Sequence, residues 1–222
     1  MNAIKLIFID LDGPLLDGRE RHYHCYQSIL EELGFKPLGI DEYWETKRAL
    51  VNRKDLLKMS DAESIYDDFF VEWLARIESP EMLALDKVQE GAVGYLRSCR
   101  AQGIELVLVT MRKDKQALER QLISTGLRQY LDTVLVCEHA EGGEGKADAV
   151  RNIYPASQFE ECALWVGDTE VDWEAARSLG CRVVLLSNGL RNEAYLRSLQ
   201  GALVKQSVAL LENCVLEGKN AN

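Results

Sequence analysis

Five short apolar runs, at residues 4–9, 104–109, 133–137, 163–166 and 182–186, constrain this chain more than any other feature. Each is rich in Val, Ile and Leu and nearly continuous, the pattern of strands buried on both faces of a parallel sheet. Segments with helical spacing lie between them. Two junctions are near duplicates: Arg100-Ala101-Gln102-Gly103 precedes the second run and Arg177-Ser178-Leu179-Gly180 the fifth. Each reads as a helix that ends on a basic residue and a left-handed glycine before a strand begins. Alternating strands and helices with right-handed crossovers predict an α/β fold, a doubly wound parallel five-stranded Rossmann-like sheet.

The alternation breaks once. Between Asp17 and about Leu85 there is no buried-strand run. Stretches 20–33, 41–58 and 62–78 instead carry apolar residues at helical spacing, such as Tyr26, Ile29, Leu30 and Leu33, then Ile65, Phe69, Trp73 and Ile77. The expectation is a helical domain over residues 18–85, inserted as a cap into a core domain made of 1–17 and 86–216, with Gly18 and the Pro80 region as hinges. Residues 217–222 are polar and read as a frayed tail.

Composition closes several alternatives. With 47% apolar residues in 222, a sizeable core is available. Lys and Arg number 26 against 36 Asp and Glu, a net charge of −10. That balance argues against nucleic acid or an anionic membrane as partner. Any phosphate must be held by a few placed cations. No run approaches the ~18 residues of a membrane span. The apolar start is cut short by Asp10 and Asp12, too early for a signal peptide. The six scattered cysteines form no CxxC pair, and three of them, in or beside apolar runs, read as small core residues of a reducing compartment, so a cytoplasmic protein is expected, with monomer and homodimer both open.

In open α/β sheets ligands bind beyond the carboxyl ends of the strands. After the first run comes Asp10-Leu11-Asp12-Gly13, and after the second Thr110. An acidic, glycine-rich loop beyond the third run reaches Gly145-Lys146, and Gly167-Asp168-Thr169-Glu170-Val171-Asp172 follows the fourth. Carboxylates, a hydroxyl and a lysine thus converge on one rim. Acidic clusters on neighbouring strands repel unless a cation lies between them, and hard oxygen ligands suit Mg²⁺. An ionised Asp10 can attack an electrophile, and Asp12 can serve as acid and then base. Lys146 and Thr110 can offset phosphoryl charge, and backbone N–H groups around Gly13 and Met111 can bind its oxygens. The set fits phosphoryl transfer through an aspartyl-phosphate.

These motifs resemble the haloacid dehalogenase superfamily of phosphohydrolases. The Asp10-to-Asp17 stretch is similar to its first motif, Val109-Thr110 to its second, Gly145-Lys146 to its third and Gly167-to-Asp172 to its fourth, in the family's order. The resemblance implies a nucleophilic Asp10 that also ligates Mg²⁺, and a general acid/base Asp12 with its carbonyl on the metal. It implies phosphoryl binding by Thr110 and a Lys146 that fixes nucleophile and phosphate. Asp168 would bind Mg²⁺ directly, and Asp172 directly or through water. The helical insertion would be a C1-type cap that closes over a small phosphorylated metabolite, in the manner of phosphoglycolate phosphatases. Sugar phosphomutase is the alternative, followed by a haloacid dehalogenase or a phospho-accepting binding protein.

Pro14 departs from the family's usual Thr or Val, which predicts a stiffer loop. The third motif lacks its usual following Pro, so Lys113 or Lys115 compete with Lys146 for its role. Arg48, Arg53 and Lys54 form a basic cluster in the insertion. Arg53 is the candidate to reach a second anionic group of the substrate, a solvated helix face being the alternative. His22, His24 and Cys25 look like a metal tract, but their spacing on a helix points them apart. His139 and the 138–144 run read as solvated loop, and Trp44, Trp165 and Trp173 as packing residues.

Overall fold

The computed structural model describes residues 3–137, 142–156, 159 and 162–211. In chain order the elements are β1 (Leu6–Ile9), β2 (Leu16–Asp17), α1 (Arg19–Glu32), α2 (Ile40–Arg48), α3 (Arg53–Lys58), α4 (Tyr66–Arg76), α5 (Pro80–Leu83) and β3 (Lys87–Val88). They continue with α6 (Ala92–Ala101), β4 (Glu105–Thr110), α7 (Lys115–Ser124), β5 (Thr133–Val136), α8 (Gly142–Arg151), β6 (Ala163–Gly167), α9 (Glu170–Leu179), β7 (Arg182–Leu186), α10 (Glu193–Ser198) and β8 (Leu203–Lys205).

The main sheet is parallel, in the order β5-β4-β1-β6-β7-β8. Its side chains divide by alternation. Ile7, Ile9, Leu106, Leu108, Leu164 and Val166 join the core on one face, with Tyr95 and Leu96 of α6 and Leu118 and Leu122 of α7. Phe8, Val107, Val109, Trp165 and Leu185 join the other, under Ala147 and Val150 of α8 and Ala175 and Ala176 of α9. Both faces are covered, which is why the strands read as continuous apolar runs. Gly103 and Gly180 take the left-handed conformation expected of them, at φ 73° and 71°.

The sheet has six strands, not five. The strand that sequence reading missed, β8, has three residues, of which only Val204 is buried. So short an edge strand presents no two-faced apolar run.

The insertion's helices close around their own core of Tyr26, Ile29, Leu30, Tyr43, Trp44, Leu57, Phe69 and Trp73. The Tyr26 and Tyr43 rings stack at 4.5 Å, an arrangement worth about 0.5–1.5 kcal/mol beyond area burial. Leu33 lies outside this core, exposed at the end of α1. The 41–58 stretch is two helices, because Leu50 adopts φ 63° and the Asn52 side chain accepts the Asp55 N–H to start α3 afresh. The chain enters and leaves the insertion through the antiparallel pair β2–β3, with Leu16 opposite Val88 and Asp17 opposite Lys87. Pro80 instead opens α5 behind the Ser79 cap, so the crossing lies several residues beyond the expected Pro80 hinge. Among the described residues no helix is long and apolar enough to cross a membrane.

Candidate active site

β1 lies between β4 and β6, and the chain winds outward from it in both directions. A crevice therefore opens at the carboxyl end of β1. Asp10 follows β1, Thr110 ends β4, Asp168 follows β6, and Asp172 lies in the first turn of α9. Lys146 reaches the same place from within α8, so residues 142–146 are helical rather than part of a loop. Residues 138–141, His139 and the 217–222 tail lie outside the described residues.

Carboxylate oxygens of Asp10, Asp168 and Asp172 lie within 4.8 Å of one another, and all three residues are buried. The Lys146 ammonium stands 2.9 Å from Asp10 Oδ2 and 2.8 Å from Asp172 Oδ1. Lys113 and Lys115 are exposed, so Lys146 is the lysine at this site. Asp172 is already saturated. Its Oδ2 accepts from the Thr169 hydroxyl at 2.8 Å and from the N–H groups of Asp168 and Thr169. Its Oδ1 accepts from Lys146 and from the Trp165 indole at 3.2 Å. Trp165 is thus more than packing: it helps fix the acceptor that aims Lys146.

Asp168 is different. Its Oδ2 accepts the Leu190 N–H at 2.5 Å, while Oδ1 is buried without a partner. Gly13 and Gly189 press on this carboxylate so closely that a Cβ at either would sit 2.1 Å from Oδ2. Gly13 also needs φ 95°, and its own N–H donates to the Leu16 carbonyl at 2.8 Å. Its contribution is therefore space for Asp168, rather than the phosphate-binding N–H expected of it. Burial lifts the Asp10 carboxyl to about 7 against the pull of Lys146, with Asp172 and Asp12 adding to the rise. Burial, then Asp172 and Asp10, raise Asp168 well above the carboxylate range. An orphaned carboxylate oxygen and two carboxyls that resist ionising together fit a hard divalent cation, held by Asp10 and Asp168 with Asp172 alongside.

The Asp12 carboxylate takes no part in that group. Arg112 grips it through two bonds, Nε to Oδ2 at 2.7 Å and Nη2 to Oδ1 at 2.8 Å, and Arg21 adds a third at 2.5 Å. Both arginines also reach Asp86, at 2.7 Å from Arg21 and 3.1 Å from Arg112, and Gln121 donates to the same carboxylate. Burial alone would raise Asp12, but the two guanidiniums hold it well below the usual carboxylate range. The network joins the nucleophile loop, α1, the start of the return crossing and the loop after β4. Sequence reading missed Arg112, Arg21 and Asp86. Arg112 was findable, since it follows Thr110 by two residues on the same rim; Arg21 and Asp86 carry no local signal.

A cleft runs from this rim to the insertion, lined by Asp12, Gly13, Asp17, His22, Trp44, Gln89 and the 188–190 loop. Trp44 thus lines the cleft as well as belonging to the insertion's core. Arg48 ties the two sides: it donates to the carbonyls of Ser187 and Gly189 and accepts the Asn192 N–H at 3.1 Å. Arg53 lies over the rings of Phe70 and Trp73, and Lys54 pairs with Glu63. The Met111 side chain packs against the sheet core, leaving only its backbone for a ligand. The His22–Cys25 tract splits up. His22 lies against Trp44 and Trp73, His24 pairs with Glu20, and Cys25 is in the core. Among the described residues, the only cluster able to hold a metal is the aspartate group.

Residues 6–186 match the family model of haloacid dehalogenase-like hydrolases. Phosphoglycolate phosphatase from Nitrosococcus oceani is 27% identical over 221 residues, covering 94% of this chain and 95% of that protein. Phosphoglycolate phosphatase from Rhodobacter capsulatus is 25% identical over 203 residues, covering 85% and 86%. Among solved structures, a haloacid dehalogenase-like hydrolase from Streptococcus pneumoniae superposes with TM-score 0.72 at 17% identity, covering 95% of this chain and 98% of that one. A Haemophilus somnus chain described as a predicted phosphoglycolate phosphatase gives 0.73 at 20% identity, covering 96% and 99%. The structural likenesses speak to the fold alone.

Proposed function

Because the chain belongs to the haloacid dehalogenase-like hydrolases, we propose that it is a Mg²⁺-dependent phosphatase of a small phosphorylated metabolite, working through an aspartyl-phosphate on Asp10. The observation that carries this reading is the Lys146 ammonium between Asp10 and Asp172, beside the free oxygen of Asp168. Phosphatase relatives at about a quarter identity support the reaction class.

The chain's residues divide the work. Asp10 attacks phosphorus through one carboxylate oxygen, while Lys146 fixes the other and offsets phosphoryl charge. Asp172, locked by Trp165 and Thr169, holds Lys146 in line. Thr110 and the Met111 N–H receive phosphoryl oxygens. When bound, Mg²⁺ supplies neutralisation of negative charge on the phosphoryl group. Asp12 protonates the leaving oxygen, then takes a proton from the water that cleaves the acyl-phosphate. The arginine pair favours its ionised form, which suits the second step; the first requires Asp12 to part from Arg112. The helical insertion, residues 18–85, acts as a cap over the site, keeping bulk water from the first step.

Saturating EDTA should reduce hydrolysis of p-nitrophenyl phosphate to background, and added Mg²⁺ should restore it. Free phosphate should be the sole phosphorus-containing product by NMR. Undiminished turnover under chelation, or return of the phosphoryl group to another hydroxyl, would refute the proposal.

A further inference from the structure

The Asp168 carboxylate rests on a loop that the insertion holds from the other side. The loop, residues 187–192, joins β7 to α10. Its Leu190 N–H donates to Asp168 Oδ2 at 2.5 Å, and its Gly189 packs so close to the same carboxylate that no Cβ fits there. The opposite contact comes from α2 of the insertion. Arg48 Nε donates to the Gly189 carbonyl at 3.0 Å, and Nη2 donates to the Ser187 carbonyl. The Arg48 carbonyl accepts the Asn192 N–H at 3.1 Å, and the Leu190 side chain packs against the insertion's core.

The Gly189 carbonyl and the Leu190 N–H belong to one peptide unit. That unit is trans, so the two groups point in opposite directions from one rigid plane. A guanidinium on the carbonyl therefore orients the plane that aims the N–H at Asp168. A charged donor there also polarises the N–H and strengthens the bond it makes. Asp168 depends on this support: it is fully buried, its Oδ1 has no partner, and its Oδ2 takes the Leu190 N–H. The acid beside Arg48, Glu45 at 3.2 Å, is mostly exposed, so that pair adds little. The two carbonyls are where the Arg48 fork acts.

We propose that Arg48 is a positioning residue for the metal site: by fixing the Gly189–Leu190 peptide it holds Asp168 in the orientation that binds Mg²⁺, so that the ion's affinity depends on how the insertion is seated. The inference rests on the Mg²⁺ reading above and goes beyond it, since it assigns a residue of the insertion to a site built on the core. Coupling of this kind is reciprocal, so the bound ion also steadies the insertion on the core.

Charge and positioning predict opposite signs here. Removing a cation near a divalent-ion site by itself tightens binding of the ion. Removing a support behind a metal ligand weakens it. Calorimetric titration of the intact chain with MgCl₂ at fixed ionic strength should show about 10-fold weaker binding in Arg48→Met, the low end of the cost of losing a partner outside the ligands themselves. Arg48→Lys keeps the charge but cannot fork to two carbonyls, so its affinity should fall between those of the parent and Arg48→Met. A merely structural role would lower the melting temperature of the metal-free chain and leave the Mg²⁺ affinity of the folded chain at or above the parent's. Affinity of Arg48→Met equal to or above the parent's overturns the inference; if that variant does not fold, parental affinity in Arg48→Lys does so. A parent that binds no Mg²⁺ would overturn the metal reading, and the inference with it.

Discussion

Asp10→Asn should leave a folded protein whose turnover of phosphomonoesters falls by about 10³-fold or more, the scale of losing a covalent nucleophile. The amide is nearly isosteric, so shape is kept while nucleophilicity is removed. Folding should not suffer and has a reason to gain. The Asp10 carboxyl is pushed up to about 7 by burial and by its neighbours Asp172 and Asp12. A neutral amide removes that repulsion, at the cost of one partner of Lys146, which retains Asp172 at 2.8 Å. Steady-state kinetics with circular dichroism and a melting curve check both halves. Activity within tenfold of the parent would mean that another group attacks phosphorus.

Lys146→Met should be severe in a different way, damaging stability and activity together. The side chain is almost wholly buried, and its ammonium is the cation shared by Asp10 and Asp172. Removing one partner of a buried ion pair costs about 3–5 kcal/mol, because the remaining charge is left uncompensated. Here two carboxylates lose their common partner. In the variant, Mg²⁺ should raise the melting temperature more than it does in the parent, since a divalent cation replaces part of the missing charge. Turnover should stay low at saturating Mg²⁺, because the ion does not restore the hydrogen bond that fixes Asp10. Calorimetry with and without Mg²⁺, paired with kcat, separates the two effects. A variant as stable as the parent without metal would show that Lys146 is not the charge that balances this pocket.

The sheet and the aspartate rim were legible in sequence for one physical reason. A strand buried on both faces must be apolar at every position, so the polar residue that ends it stands out. Asp10, Thr110 and Asp168 are such residues. Lys146 was harder to place because it reaches the rim from inside a helix, and its neighbouring glycines suggested a loop. Gly143 tolerates no Cβ for another reason: one would lie 2.4 Å from the Glu174 Cβ of α9, so the glycine serves helix packing. Arg21 and Asp86 were not legible. Their partners lie far along the chain, and an arginine on a surface helix has the same local pattern as one buried against Asp12. The break at Leu50 was hidden too, because a left-handed leucine has no signature of its own.

Chemical trapping of the intermediate tests the central claim most directly. Enzyme quenched during turnover and reduced with borohydride should carry homoserine in place of the aspartate at position 10, the product of reducing an acyl-phosphate there. Reduction at any other carboxylate, or none together with inversion of configuration at phosphorus, would contradict attack by Asp10.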